Sequence, residues 1–246
     1  IYHHIRTIPK SKILVRKISN ISRAIQRAQA DKRRGKSVKN YKFLKPEKWD
    51  PEFVNLVAHF LFDGEISHSS CVYNNRNQVL ISNLIRLMKK CLGVDDFKII
   101  YKADGVTRIN FHNVEIAAFI KGKSLELIES ISRFPFELKR AFLKAFFDDE
   151  GSVYFIGAKR LVRGYQHSVS ILNIVRGLLK EFGVNSYVDK KYFEIDISKK
   201  VNLLAFQKHI NFMSDLKVNG QRSNSIWKKD LEKSKILEMA INSYQT

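Results

Sequence analysis

Apolar and polar residues along the chain follow a helical period and a strand period that alternate in a fixed order. A helix is predicted to begin near Pro51, after the N-cap Asp50, and another near Pro135, because proline is favoured in the first turn. Two short strands, a second helix, two more strands and a third helix follow each of them. The later helices are predicted over 79–92, 114–120, 169–182 and 201–210. The pattern predicts an α+β fold in which the order αββαββα occurs twice.

Two landmarks recur in the same order and support a tandem duplication. RLMKKCLGV (86–94) and RGLLKEFGV (176–184) each read as a helix end closed by Gly-Val, 90 residues apart. An acid followed by glycine recurs at Asp63 and at Glu150, 87 residues apart. A three-residue insertion in FIGAKRLVRGYQ accounts for the difference. The predicted domains are 1–49, 50–133 and 134–246, the last including a C-terminal helix.

The net charge of the chain indicates that its partner is a polyanion. The 246 residues include 44 Lys and Arg against 24 Asp and Glu, a formal net charge of +20, and residues 1–50 alone carry 15 basic and 3 acidic residues. We therefore expect residues 1–49 to be a basic extension that binds phosphates. No apolar run is long enough for a transmembrane helix. Two cysteines, Cys71 and Cys91, indicate neither a disulfide framework nor a zinc site.

Both acid helices end in a way that is unfavourable for an isolated helix. A carboxylate at the C-terminal end opposes the helix dipole at a cost of about 0.3–1 kcal/mol. Ala58 and Ala145 would let the two helices pack closely about a pseudo-twofold axis, which would bring Asp63 and Glu150 together. Divalent cations offset such a repulsion. The candidate metal ligands are these two acids and the adjoining chain at Phe62, Gly64, Asp149 and Gly151.

LVAHFLFDG (56–64) and LKAFFDDEG (143–151) resemble the two motif copies of single-chain LAGLIDADG homing endonucleases of the archaeal-like type. The resemblance covers about 50–229, including the order of helices and strands. The essential acids of that family stand at the eighth place of the motif, which corresponds to Asp63 and Glu150.

The resemblance implies two antiparallel sheets that form a saddle over double-stranded DNA, and hydrolysis of both strands across the minor groove. It implies Mg²⁺ as cofactor, with Ca²⁺ or Mn²⁺ as substitutes, a monomer, and a role in intron homing. The expected location is intracellular, in the cytoplasm of a prokaryote, an archaeon in particular, or in an organelle. Leu61 stands where the family often has an acid, and His59 is bulky for its place, but neither removes an essential acid.

The family also places polar and basic residues around its metal ions. Gln166, in RGYQHS, resembles the usual residue at the end of the second strand of a half, and Asn74 is its expected first-half equivalent. Lys217, which ends INFMSDLK, is the expected catalytic-pocket lysine. Lys121 or Lys123 is its expected first-half counterpart.

Alternate residues of the strands and the adjoining turns are expected to face DNA, since side chains alternate across a sheet. Polar, basic and aromatic residues there are the candidate contacts: His68, Tyr73, Asn74, Asn75, Arg76, Lys98, Lys102, Arg108, Tyr154, Lys159, Arg160, Arg163, Tyr165, Gln166, Lys190 and Lys191.

Two other functions fit the same fold and charge. An RNA-binding maturase, with intron RNA as partner, and a non-catalytic DNA-binding regulator would need neither acid. The presence of both Asp63 and Glu150 favours the nuclease. A membrane-surface protein is disfavoured, since the chain lacks an amphipathic helix with a clean apolar face and Trp anchors.

Overall fold

Each half of the chain folds into a four-stranded antiparallel sheet with helices packed against it. The structure, a computed structural model, describes residues 42–221 and 226–245, so that most of the predicted basic extension, 1–49, lies outside the described residues. The strand orders are β1-β2-β4-β3 and β5-β6-β8-β7, which are the same order in two successive halves. The predicted α+β fold with a tandem repeat is confirmed.

The elements of the first half follow the predicted order. Their bounds are α1 Pro51–Phe62, β1 Gly64–Ile66, β2 Cys71–Asn75, α2 Gln78–Leu92, β3 Lys98–Tyr101, β4 Thr107–Phe111 and α3 Val114–Ser130. The side chain of Asp50 accepts a hydrogen bond from the backbone N–H of Phe53 at 2.8 Å and so caps α1 as expected. Helix α3 is longer than the predicted 114–120, because apolar residues such as Leu127 continue its buried face.

The second half repeats this order and adds a C-terminal helix. Its elements are α4 Phe136–Glu150, β5 Gly151–Ile156, β6 Lys159–Tyr165, α5 Val169–Glu181, β7 Tyr187–Asp189, β8 Glu194–Ser198, α6 Lys200–His209 and α7 Lys233–Asn242. The hairpin of β5 and β6 is longer than that of β1 and β2, which is where the insertion was predicted.

Helices α1 and α4 pack against each other where the two halves meet. Ala58 and Ala145 are fully buried, which allows the close approach that their small side chains predict. The ring of Phe62 contacts the ring of Phe146 with 5.1 Å between centroids. The side-chain amide of Asn55 donates to the carbonyl of Ala141 at 3.3 Å. These contacts hold the C-terminal ends of both helices beside each other.

In the described ranges, no helix is both long enough and apolar enough to cross a lipid bilayer.

Candidate active site

The two motif acids lie at matching helix ends. Asp63 is the C-cap residue of α1, and Glu150 is the last residue of α4. The chain turns directly from each helix into a strand at Gly64 and Gly151. A Cβ atom at either glycine would collide with a backbone carbonyl of the preceding helix turn, so that only glycine fits there. The glycines therefore fix the place of each acid relative to its sheet.

The electrostatics show that burial and neighbouring acids outweigh the positive charge near these carboxyl groups. Burial, followed by the negative charge of Asp149, raises the pKa of Asp63 to about 7. Burial, followed by the charges of Asp63 and Asp149, raises the pKa of Glu150 to about 8. Desolvation and like charges both disfavour ionised carboxylates. The helix ends thus bring half-buried carboxyl groups together in a strongly basic chain.

Lys233 lies beside this centre and was missed by the sequence analysis. Its Nζ donates to the backbone carbonyl of Asp148 at 3.0 Å, and burial lowers its pKa against the opposing effect of the nearby acids. Its charge in turn lowers the pKa of both Asp63 and Glu150. Lys233 is the first residue of α7. Because α7 lies outside the duplicated elements, the repeat could not predict the place of this lysine.

Asp149 is held between the two halves. The hydroxyl of Tyr73 donates to Asp149 Oδ1 at 2.6 Å, and His59 Nδ1 lies 2.8 Å from Asp149 Oδ2. Burial lowers the pKa of His59, but the Asp149 carboxylate outweighs this effect and raises it. With both oxygens of its fully buried carboxylate occupied, Asp149 has a different environment from Asp63 and Glu150.

Tyr73 was predicted to contact DNA, and this prediction is wrong. Its side chain is completely buried and points to Asp149, because its strand position faces the helices. Asn75 lies on the same face of β2 as Tyr73. Its side-chain amide donates to Asp63 Oδ2 at 2.7 Å, so that Asn75 belongs with the motif acids.

Asn74 was predicted to be the first-half equivalent of Gln166, and this prediction is wrong. The register pairs Tyr73 with Gly64 and Gly164 with Gly151, so that Asn75 is the first-half equivalent of Gln166. Both side chains accept a hydrogen bond from a backbone N–H two residues ahead.

The two predicted lysines occupy different surroundings. Lys217 lines a cleft of about 870 Å³ together with Asp148, Asp149 and Lys233, and its backbone pairs with Glu232. Lys121 is exposed. It lies inside helix α3, which continues past its predicted end at residue 120.

Strand alternation divides the candidate DNA contacts into two faces. Lys159, Arg163 and Tyr165 alternate with the buried Val162 and therefore lie on the face away from the helices. On that same face of the two sheets are Asn74, Lys98, Arg108 and Tyr154.

The side chain of Arg160 lies on the opposite face of β6 from Lys159 and Arg163. Its guanidinium lies over the ring of Tyr244 at 5.1 Å, behind the sheet, which contradicts its predicted place on the face with Arg163. Six candidates occupy loops or turns: His68, Arg76, Lys102, Gln166, Lys190 and Lys191.

Arg163 on the open face is held in place. It forms ion pairs with Asp196 at 3.0 Å and Glu194 at 3.2 Å, and it lies over the ring of Tyr154 at 4.7 Å. Each partner fixes the direction of the guanidinium on the open face.

The metal-binding capacity of the site rests on the two motif acids. In the described part of the chain, no three His, Cys, Asp or Glu side chains converge as a metal site. Asp63 and Glu150 nevertheless fit a divalent cation, since burial and their mutual repulsion disfavour their ionised forms and a bound cation would stabilise both carboxylates. The backbone at Phe62, Gly64 and Gly151 adjoins them.

A family model described as a LAGLIDADG-like domain matches residues 137–211, from the first turn of α4 to just past α6. Residues 137–211 form a LAGLIDADG-like domain. The family predicted from the two motifs is thereby confirmed. No curated protein sequence matches the chain.

Solved structures of LAGLIDADG proteins share the fold. A mesophilic variant of the homing endonuclease I-DmoI matches with a TM-score of 0.52 and 17% identity, over 68% of this chain and 91% of that one. I-DmoI in complex with its target DNA and Mg matches with a TM-score of 0.51 and 17% identity, over 65% and 95%. Full-length DUF199/WhiA from Thermatoga maritima matches with a TM-score of 0.55 and 15% identity, over 82% and 63%. At these identities the comparison establishes the fold.

Proposed function

We propose that the chain is a divalent-metal-dependent endonuclease that binds a long double-stranded DNA site and hydrolyses both strands. The observation that carries this proposal is the pair of motif acids at matched helix ends, with the pKa of Asp63 raised to about 7 and that of Glu150 to about 8. Two half-buried acids whose ionised forms are disfavoured lower the stability of the free protein. A catalytic metal site accounts for their presence.

Each residue of the site has a proposed role. Asp63 and Glu150 hold the cations, Mg²⁺ in the first place and Mn²⁺ or Ca²⁺ as substitutes. Cations bound there would activate a water and stabilise the leaving oxygen. Lys233 places a positive charge where the scissile phosphates develop negative charge, and this buried lysine fits the catalytic-pocket role better than Lys217 or Lys121. Gln166, the second-half equivalent of Asn75, is the proposed polar residue on the side of Glu150.

The sheets supply the proposed DNA surface. Their open faces carry Lys98, Arg108, Lys159 and Arg163, and the chain as a whole has a formal net charge of +20. Each half contributes one sheet and one acid, which suits two antiparallel strands related by a local twofold. Because both motifs lie in one chain, we expect a monomer to be active.

A randomised duplex library tests this function without knowledge of the target. In Mg²⁺ the protein should cut a defined family of sequences on both strands, leaving short 3′ overhangs, and a chelator should stop the reaction. Sequencing the cut ends would give the target.

Sequence-selective DNA binding without cleavage in Mg²⁺ or Mn²⁺ would refute the nuclease and leave the non-catalytic regulator. Binding to structured RNA in preference to every duplex would favour the maturase.

A further inference from the structure

The pseudo-twofold axis relates two corners of the helix pair that differ in chemistry. The polar corner consists of His59, Tyr73 and Asp149. Motif alignment and strand register place Phe146, Gly164 and Phe62 at the equivalent positions, and these form the apolar corner. Each corner takes two residues from one half and one from the other.

The apolar corner is filled by rings. Phe62 and Phe146 meet in an edge-to-face contact, with 5.1 Å between centroids. Gly164 leaves room for this packing, because a Cβ atom there would lie 2.5 Å from the Phe146 ring. The apolar corner therefore shows that such a corner can be packed with apolar residues alone.

The polar corner fills the same kind of space with three hydrogen-bonding side chains. The side chains of His59, Tyr73 and Asp149 are fully buried, and Asp149 joins the other two at 2.8 and 2.6 Å. A buried charged network is seldom more stabilising than apolar residues of similar volume. Packing alone thus gives no reason for the polar corner.

The polar corner connects to one acid only. Asn75 Nδ2 donates to Asp63 Oδ2 at 2.7 Å and also lies 3.4 Å from the hydroxyl oxygen of Tyr73. Gln166, the equivalent of Asn75, also accepts from a backbone N–H, but among the described residues its side-chain amide donates to neither motif acid. Among the described residues, no hydrogen bond reaches the carboxylate of Glu150.

We propose that the polar corner positions Asp63 through Asn75, so that Asp63 is pre-oriented, Glu150 is not, and the two DNA strands are cut at unequal rates. His59, Tyr73 and Asp149 are positioning residues in this scheme, since they act on the acid through Asn75. The inference rests on the proposed nuclease function and adds an order to its two cuts.

The test uses a target duplex with a different label on each strand. The wild type should cut one strand faster than the other. Tyr73→Phe, which removes only the hydroxyl, should slow that faster strand by roughly 10–100-fold, as loss of a supporting hydrogen bond does at metal sites. The slower strand should keep its rate and DNA affinity in Ca²⁺ should change little, while the melting temperature should fall, because the buried Asp149 carboxylate loses a donor.

Asn75→Ala should slow cleavage of the same strand. Combining it with Tyr73→Phe should slow that strand little further, because both substitutions break one chain of hydrogen bonds. The side-chain amide of Asn75 gives a readout independent of cleavage. In ¹⁵N-labelled protein its protons should exchange with solvent faster after Tyr73→Phe.

A variant that copies the apolar corner, with His59→Phe, Tyr73→Gly and Asp149→Phe together, provides the matched control. It should fold and bind DNA while cutting the two strands at more nearly equal rates. Equal wild-type rates, or equal slowing of both strands by Tyr73→Phe, would overturn the inference. A wild type that cuts neither strand would instead refute the nuclease function itself.

Discussion

Asp63 and Glu150 each lie where burial, a helix dipole and neighbouring acids act in the same direction. Their pKa values are raised to about 7 and about 8 from ordinary values of 3.8 and 4.5. Between about pH 4 and 8 the native state therefore retains protons that the unfolded chain has released, and these two groups lower the free energy of unfolding as pH rises.

Asp63→Asn should therefore stabilise the metal-free protein, and more at about pH 8 than at about pH 5, since only the ionised acid is disfavoured. Ca²⁺ should raise the melting temperature of the wild type at the higher pH and that of the variant far less. Differential scanning calorimetry measures both effects. Glu129→Gln, at an exposed site on α3, is the control and should show neither. A lower melting temperature for Asp63→Asn at every pH would indicate a structural acid.

The motif acids could be predicted from sequence because their spacing repeats, whereas their surroundings could not. Lys233 approaches them from α7, outside the repeat, and only tertiary packing brings it there. Tyr73 is polar and stands in a strand near a predicted DNA surface, so that alternation alone could not tell which face it occupies. The strand register decides that point.

The turn from each motif helix into its first strand is the element that fixes the site. Gly64 and Gly151 occupy equivalent places, and neither has room for a Cβ atom. In contrast, Gly177 lies exposed in α5 with open space around it. The two kinds of glycine should respond differently to the same substitution.

Gly151→Ala should destabilise the protein and disturb cleavage, because the helix end carrying Glu150 must shift to admit the methyl group. Gly177→Ala should instead stabilise by about 0.5–1 kcal/mol, since alanine is the better helix former. Thermal unfolding of both variants, with cleavage assays beside it, checks this pair. Equal stability changes would show that the turn at Gly151 tolerates a side chain.

Most elements were predictable because local patterns and packing agree. The Asp104–Gly105 turn between β3 and β4 forms as its sequence indicates, with Gly105 at a φ of 82°. Helix α3 exceeded its prediction because weakly amphipathic residues beyond Ile120 are helical only against the neighbouring core.

At the scale of the whole molecule, two sheets and two motif helices repeat about one axis, and the acids lie where the halves meet. This symmetry matches two antiparallel DNA strands, and the polar corner departs from it on one side. The fold alone is shared with I-DmoI and with DUF199/WhiA, so that the chemistry of the acids decides the function.

Cleavage of a plasmid carrying the selected target, by wild type, Asp63→Asn and Glu150→Gln side by side, tests the central claim most directly. Each acid variant should fold, bind the target in Ca²⁺ about as tightly as the wild type, and fail to linearise the plasmid in Mg²⁺. Glu129→Gln should linearise it normally. If either acid variant melted several degrees lower and still linearised the plasmid at the wild-type rate, the acids would be structural and the nuclease account would be contradicted.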